Sequence, residues 1–462
     1  MREARVTITD SSSLQWQALK WAMTQPTHTG TFVASLTNNG IAYPNDPFPN
    51  RLFVGAKRVI SFSEASQETT IITADGVRRS AGPDVFEALY EAHRQQASFL
   101  VGYFSYDLKN QLEKLNSRHP NRLGFPDAYF VEPAWVIDIS PINGSSQEIT
   151  VRGDGDVRAV LAAILAFRKP VSGVFRSDES AMPAIQCRVT PDAYLDTVRQ
   201  IQQLIRDGDV YELNYCIEFF LEKARLDPLR TYQALTDRSP MPFSSFLRLD
   251  NRYVLGASPE RFLRKTGSRI LSQPIKGTIR RGQTAEEDAE LRSQLFHSEK
   301  ERAENLMIVD LVRNDLARSA ETGSVRVEEL FGIYGFRQVY QMISTVSATL
   351  RSDVSWADSI RNAFPMGSMT GAPKIRAMER IDQLEASRRG VYSGAIGYIT
   401  PDGDFEFNVV IRSLLYDADQ AYASFSVGSA ITYDADPDQE WAECLLKASA
   451  IREVLEQTAL AG

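Results

Sequence analysis

The run Pro274-Ile275-Lys276-Gly277-Thr278-Ile279-Arg280-Arg281-Gly282 sets an amine between a proline, which fixes one backbone angle, and a glycine, which has no side chain to cover it. Two arginines follow at once, and a neighbouring positive charge is one way to lower a lysine pKa and yield a neutral, nucleophilic amine. A solvated lysine in a tight turn accounts for the same residues. Glu260, in Ser258-Pro259-Glu260-Arg261, precedes this lysine by 16 positions and offers a carboxyl group suited to protonating a departing hydroxyl. Carboxylates recur on predicted helices. Glu304 lies beside an apolar stripe, and Glu440, Glu443 and Lys447 share one face of the last helix. Facing carboxylates suit Mg²⁺, which takes a few oxygen ligands, waters and substrate oxygens. An acidic, solvated face explains the spacing as well.

Two further segments carry chemical potential. Gly367-Ser368-Met369-Thr370-Gly371-Ala372-Pro373-Lys374 looks like a phosphate loop, but Ala-Pro stands where a nucleotide-binding loop needs Lys-Ser or Lys-Thr. Its backbone N–H groups, opening a helix, remain suited to a carboxylate. Arg412, in Ile411-Arg412-Ser413, falls inside a predicted apolar strand next to the one carrying Gly397-Tyr398, and a buried guanidinium needs an anionic partner. A structural ion pair or a bound anion would satisfy it equally.

These residues must be positioned by a chain of 462 residues, enough for two or three domains or one large enzyme unit. A net charge of -8 argues against a nucleic-acid or anionic-membrane surface. No apolar run approaches the roughly 18 residues that span a bilayer, and the first residues have no apolar signal region. The three cysteines, Cys187, Cys216 and Cys444, are too scattered for a disulfide framework or a zinc site, so a cytoplasmic enzyme is expected. Strand-like runs are predicted at Gly30–Ser35, Arg51–Phe62, Ser98–Tyr106, Phe243–Leu255, Phe262–Thr278, Val391–Thr400, Phe405–Tyr416 and Gln420–Val427. Helices are predicted at Pro83–Gln95, Gly155–Phe167, Pro191–Asp207 with Thr190 as N-cap, and Ser298–Ala317 with Leu306, Val309, Val312 and Leu316 on one face. Others begin near Trp356, Ala372 and Asp438. The Ser-, Gly- and Pro-rich stretch 168–183 reads as a connector. Strands outnumber βαβ units, which predicts α+β layers with antiparallel sheets.

Taken together, the motifs closely resemble the chorismate-utilising enzymes. The match runs in order from about Thr190 to Leu455 and includes Ser258–Arg261, Pro274–Thr278, Ile308–Asp315, Pro365–Lys374, Gly397-Tyr398, Ile411-Arg412, and Asp436-Pro437 ahead of Glu440 and Glu443. Val101–Asp107 resembles the family's N-terminal region. The resemblance implies a large two-sheet sandwich flanked by helices, with an N-terminal region, 1–180, interleaved with a chorismate-binding catalytic region, 181–462. Within the family, lysine at position 276 marks the members that aminate chorismate at C4, and alanine those that form anthranilate. Lys276 would attack C2 while Glu260 protonates the departing 4-hydroxyl. Ammonia would then add at C4 and expel the lysine, giving 4-amino-4-deoxychorismate, a precursor of p-aminobenzoate and folate. The amine must be neutral when it attacks, so a depressed Lys276 pKa is expected.

The same resemblance implies Mg²⁺ held by Glu304 and Glu443, with Glu440 acting through water, on the ring carboxylate. Thr370, Gly428 and Lys447 would help fix that carboxylate, Thr278 and Gly371 would line the substrate site, and Tyr398 and Arg412 would hold the enolpyruvyl carboxylate. Three positions depart from the family pattern. Gln341 stands where histidine is frequent. Glu212 stands where isochorismate-forming members have a lysine base and amination members usually have glutamine. Gly428-Ser429-Ala430-Ile431 replaces a more glycine-rich loop. None of the cysteines sits on a Gly-x-Cys-x-Gly turn, so ammonia is expected free or from a separate glutaminase subunit in a heterodimer. The competing readings are anthranilate or isochorismate/salicylate formation, and an inactive scaffold for a glutaminase.

Overall fold

The computed structural model describes residues 1–9, 14–25, 31–143, 146–168 and 183–460. The predicted connector, and with it the boundary at 180, falls almost wholly outside the described residues. Among them, two 12-stranded sheets, antiparallel in every pairing, lie face to face with helices packed around them. The expected α+β sandwich is therefore the observed one.

Both sheets mix early and late strands. In the first, Phe32–Thr37 pairs with Phe243–Leu249, and the order continues through Arg252–Ser258, Ser413–Asp417 and Tyr422–Ile431 to Glu212–Glu222. In the second, Leu100–Phe104 pairs with Ala395–Ile399, and the order continues through Phe405–Asn408, Arg261–Thr266, Arg269–Gln273 and Val339–Thr349 to Ile275–Arg280. Alternate side chains of a strand point to opposite faces. Phe32, Ala34, Leu36 and Phe53 accordingly join the core shared with the second sheet. Val33, Leu52 and Val54 join the core under the helices Leu14–Met23, Val157–Ala166 and Pro191–Arg206.

Burial on both faces explains where the predicted strands were too long. Arg51–Phe62 is two strands, Asn50–Val54 in the first sheet and Arg58–Ser63 in the second, joined through Gly55 at φ 75°. Phe405–Tyr416 likewise splits into Phe405–Asn408 in the second sheet and Ser413–Asp417 in the first. An apolar run stays apolar while the chain crosses from one sheet to the other, so the crossing leaves no polar mark. Phe243–Leu255 is a hairpin turning at Asp250, φ 53°. Phe262–Thr278 covers three strands rather than one.

Helices follow their caps more closely. Thr190 accepts from the Ala193 amide and Ser298 from the Glu301 amide, opening Pro191–Arg206 and Glu299–Ala317 where expected. Val309, Val312 and Leu316 of the expected face of the second helix are buried, but its fourth residue is not. Asn305, Ile308, Val312 and Leu316 are buried, and Leu306 is 52% exposed. No helix among the described residues is long and apolar enough to cross a membrane.

Candidate active site

Lys276 lies on Ile275–Arg280, the outermost strand of the second sheet's ordered path. Its pairing with Val339–Thr349 slips between Ile275 and Thr278, and Gly277 in that bulge adopts φ 95°, a conformation that favours glycine. The Pro274 carbonyl accepts from the Ser344 amide, and Asn305 Nδ2 reaches the Lys276 carbonyl at 3.4 Å while its Oδ1 accepts from the Ser344 hydroxyl at 2.6 Å. Helix Glu299–Ala317 is thereby tied to the bulge. Sequence reasoning passed over Asn305, although it adjoins Glu304.

Across the gap between the sheets, Lys276 Nζ donates to Glu212 Oε1 at 3.0 Å, with side-chain exposures of 12% and 1%. Glu212 opens strand Glu212–Glu222 and pairs with Ala372, while Leu213 pairs with Gly371. The Gly367–Ala372 loop is thus clamped onto the strand, helped by Asn214 Nδ2 on the Ser368 carbonyl at 2.7 Å and the Asn214 amide on the Thr370 carbonyl at 2.8 Å. Thr370 is fully buried and its hydroxyl donates to the Gly367 carbonyl at 3.2 Å.

Burial disfavours a charge on Lys276, but Glu212, Glu304 and Glu443 outweigh it and hold the ammonium well above the usual lysine range. The expected depression is not what the folded chain provides. Arg280 and Arg281 do not act on the amine as the sequence suggested. Arg280 pairs with Glu287, and Arg281 pairs with Asp288 through two bonds of 2.8 and 2.6 Å, both on helix Ala285–His297.

Glu260 sits in a second crossing between sheets, from Arg252–Ser258 in the first to Arg261–Thr266 in the second. The Val409 amide donates to the Glu260 carbonyl at 3.0 Å and the Ser258 hydroxyl to the Val409 carbonyl at 2.6 Å, so this crossing is fastened to the one at Val409–Arg412. Burial pushes the Glu260 carboxyl up to about 7, against the opposing pull of Ser368, Lys276 and the Ile275 amide. With Pro274, Gly367 and Ser368 it lines a cavity.

Arg412 therefore lies between strands rather than within one, at φ 50°. Its guanidinium has no hydrogen-bond or ion-pair partner among the described residues, and burial lowers its pKa despite Glu443. Tyr398 lies elsewhere. It pairs with Glu406, and its ring meets Phe53 at 6.0 Å and the Arg51 guanidinium at 4.8 Å. The Ser393 amide bonds the Val410 carbonyl, which sets Tyr392 alongside the Arg412 segment. The Tyr392 hydroxyl is 3.7 Å from Cys216 Sγ, and Cys216 pairs with Gly428. Tyr392, a buried phenol beside this segment, was not among the residues singled out from the sequence. Its place between Gly390 and Gly394 was a signal of close packing.

The helical carboxylates converge from two directions. Glu304 Oε1 is buried with no hydrogen-bond partner, and burial raises its carboxyl to about 7. Lys300 reaches toward it at 3.9 Å and toward Glu440 at 3.3 Å, while Glu443 pairs with Lys447 at 2.6 Å. Lys447 also donates to the Gly428 carbonyl at 2.9 Å. Gly428 has no room for a side chain, because a β-carbon would lie 2.5 Å from Cys216 Sγ. Among the described residues no three acidic, histidine or cysteine side chains are already grouped to hold a metal ion. The orphaned Glu304 oxygen in an acidic cleft is nevertheless the donor chemistry a hard cation requires. Thr278 is exposed on the bulged strand and pairs with Gln341, whose Oε1 is buried without a partner.

An amine buried against a carboxylate and a carboxyl raised to about 7 by burial stand where two antiparallel sheets of an α+β fold meet, groups suited to nucleophilic and acid–base chemistry. The family described as chorismate binding enzyme matches residues 41–453, and the chain belongs to it. The aminodeoxychorismate synthase component 1 of Klebsiella aerogenes is 38% identical over 356 residues, covering 77% of this chain and 77% of that protein. The aminodeoxychorismate synthase of Streptomyces griseus is 43% identical over 369 residues, covering 77% of this chain. The chain spans 50% of that relative's length, and 30% and 39% of two plant relatives. Anthranilate synthase component I from Streptococcus pneumoniae superposes with a TM-score of 0.74 at 26% identity, covering 89% of this chain and 94% of that one.

Proposed function

We propose that this chain aminates chorismate at C4 to give 4-amino-4-deoxychorismate, taking ammonia from a separate glutaminase subunit. The observation that carries this reading is the position of Lys276, an amine on a bulged strand beside Glu212, with the near-neutral carboxyl of Glu260 against the adjoining Ile275 amide. In its neutral form, Lys276 attacks C2 of the ring. Electrons move through the ring double bonds and the C4–O bond breaks, the hydroxyl leaving as water with the proton of Glu260. Ammonia then attacks C4 and the C2–N bond to Lys276 breaks. Two easier substitutions replace one difficult one. The enolpyruvyl group is never touched, so it remains in the product.

Chorismate carries two carboxylates, which suits the cationic groups around the amine. Arg412 takes the enolpyruvyl carboxylate, with Tyr392 rather than Tyr398 beside it. Lys447, Thr370, Gly371 and Gly428 shape the end that receives the ring carboxylate, and Thr278 borders it. Glu304 and Glu443, with Glu440 through water, would hold Mg²⁺, whose chemistry there is charge neutralisation of that carboxylate. The residues 1–180 supply strands to both sheets rather than a separate catalytic unit.

Incubation with chorismate, Mg²⁺ and ammonium, followed by mass spectrometry of the protein and product, tests the reading. We expect an amino product that retains the pyruvyl group and a transient adduct on Lys276, absent in Lys276→Ala. Anthranilate, isochorismate or salicylate as product would overturn it.

A further inference from the structure

We propose that Glu212 is the base that takes the proton Lys276 must lose before it can attack; this rests on the nucleophilic reading of Lys276. An ammonium has no lone pair, so the reaction cannot begin until that proton has somewhere to go. The one hydrogen bond of Lys276 Nζ among the described residues is to Glu212 Oε1 at 3.0 Å. The Glu212 side chain is 1% exposed and that of Lys276 12%, so the carboxylate is shielded from bulk water. Its Oε2 is buried and accepts from nothing, which leaves the whole carboxylate available to this one amine. A buried acceptor left unsatisfied is destabilising, a penalty that a purely structural contact would not need to sustain.

The base is also held in place. The Tyr211 amide bonds the Ala372 carbonyl at 2.7 Å, and Glu212 and Leu213 pair with Ala372 and Gly371, so the first residue of the strand is fixed at both sides. Other titratable groups facing the amine come from different elements: Glu301 and Glu304 from helix Glu299–Ala317, Glu443 from helix Pro437–Leu460 and Glu260 from the crossing. None is hydrogen-bonded to Nζ. An amide at position 212 would accept the same hydrogen bond and orient the lysine equally well, but it could not take a proton.

The proton balance closes on this chain's own groups. Lys276–NH₃⁺ and Glu212–COO⁻ become Lys276–NH₂ and Glu212–COOH, and the lone pair forms the N–C2 bond as the C4–O bond breaks. Glu260 gives its proton to the leaving oxygen. When ammonia adds at C4 and the N–C2 bond breaks, Lys276 leaves as the amine and recovers its proton from Glu212. The new C4 ammonium returns one proton to Glu260. The net change is chorismate plus ammonia to aminated product plus water.

Single-turnover adduct formation with chorismate, followed by mass spectrometry from pH 6 to 10, tests the proposal in the full-length protein. In Glu212→Gln we expect the adduct rate at neutral pH to fall about a hundredfold, the scale of a lost general base. The deficit should shrink as pH rises and the amine deprotonates unaided, with chorismate KM nearly unchanged. Glu212→Asp, which keeps a carboxylate, should recover part of the rate, and it decides the matter if Glu212→Gln does not fold. Wild-type rates in Glu212→Gln, or a deficit equal at every pH, would overturn the proposal while the Lys276 adduct in wild type still upheld the nucleophilic reading. Absence of that adduct in wild type would overturn both.

Discussion

Gly371 approaches Glu212 so closely that a β-carbon on it would overlap the Glu212 carbonyl oxygen. Gly371 also adopts φ 151°, where L side chains are strained. The loop Gly367–Ala372 and the strand that carries the partner of Lys276 are therefore one mechanical unit. Glycine is required there by contact rather than by a turn.

Gly371→Ala should accordingly damage both stability and catalysis. Forcing a methyl into this contact should cost about 1–3 kcal/mol, seen as a lower midpoint in thermal unfolding. Adduct formation on Lys276 should fall more than stability alone explains, because Glu212 moves with the loop.

On the proposed mechanism Glu260 should make the rate sensitive to pH. Its carboxyl, raised to about 7 chiefly by burial, is protonated below that pH and loses its proton above it. Departure of the 4-hydroxyl should therefore slow as pH rises through about 7. Glu260→Gln should lower kcat by about 10²–10⁴ and abolish that limb of the pH–rate profile.

Lys300 lies between Glu304 and Glu440 and neutralises the carboxylates that a divalent cation would use. Lys300→Met should lower the Mg²⁺ concentration for half-maximal activity several-fold. Glu304→Gln should raise it more than tenfold. Titration of activity against Mg²⁺ separates the two directions.

Lys374 and Asp315 form a buried pair at 2.6 and 2.7 Å, with exposures of 12% and 8%, and Asp315 lines the same cavity as Glu260. Lys374→Met should leave an uncompensated carboxylate and cost about 3–5 kcal/mol. Burial raises Asp315 to about 6 even with Lys374 present. A raised carboxyl pKa means that the folded state loses stability as pH climbs from the ordinary carboxylate range through that value. Denaturant melts of the variant should therefore show a smaller loss at pH 5 than at pH 8.

Residue types and order singled out Lys276, Glu260, Glu304, Arg412 and the face of Glu440, Glu443 and Lys447 as candidates, with solvated or structural readings open beside them, and the family resemblance supplied their expected roles. They also determined the α+β class, since strands joined by short turns cannot form parallel crossovers. Caps at Thr190 and Ser298 are local hydrogen bonds and were equally legible. What crosses between sheets was not. The splits at Gly55 and at Val409–Arg412, the bond that ties Ser393 to Val410, and the exposure of Leu306 depend on partners far along the chain. The electrostatics of Lys276 were decided in the same way. Its sequence neighbours Arg280 and Arg281 are engaged by Glu287 and Asp288, while Glu212, 64 positions earlier, reaches it across the sandwich. Coulombic and hydrogen-bonding forces act over ångströms of space, and only the packing of two sheets sets those distances.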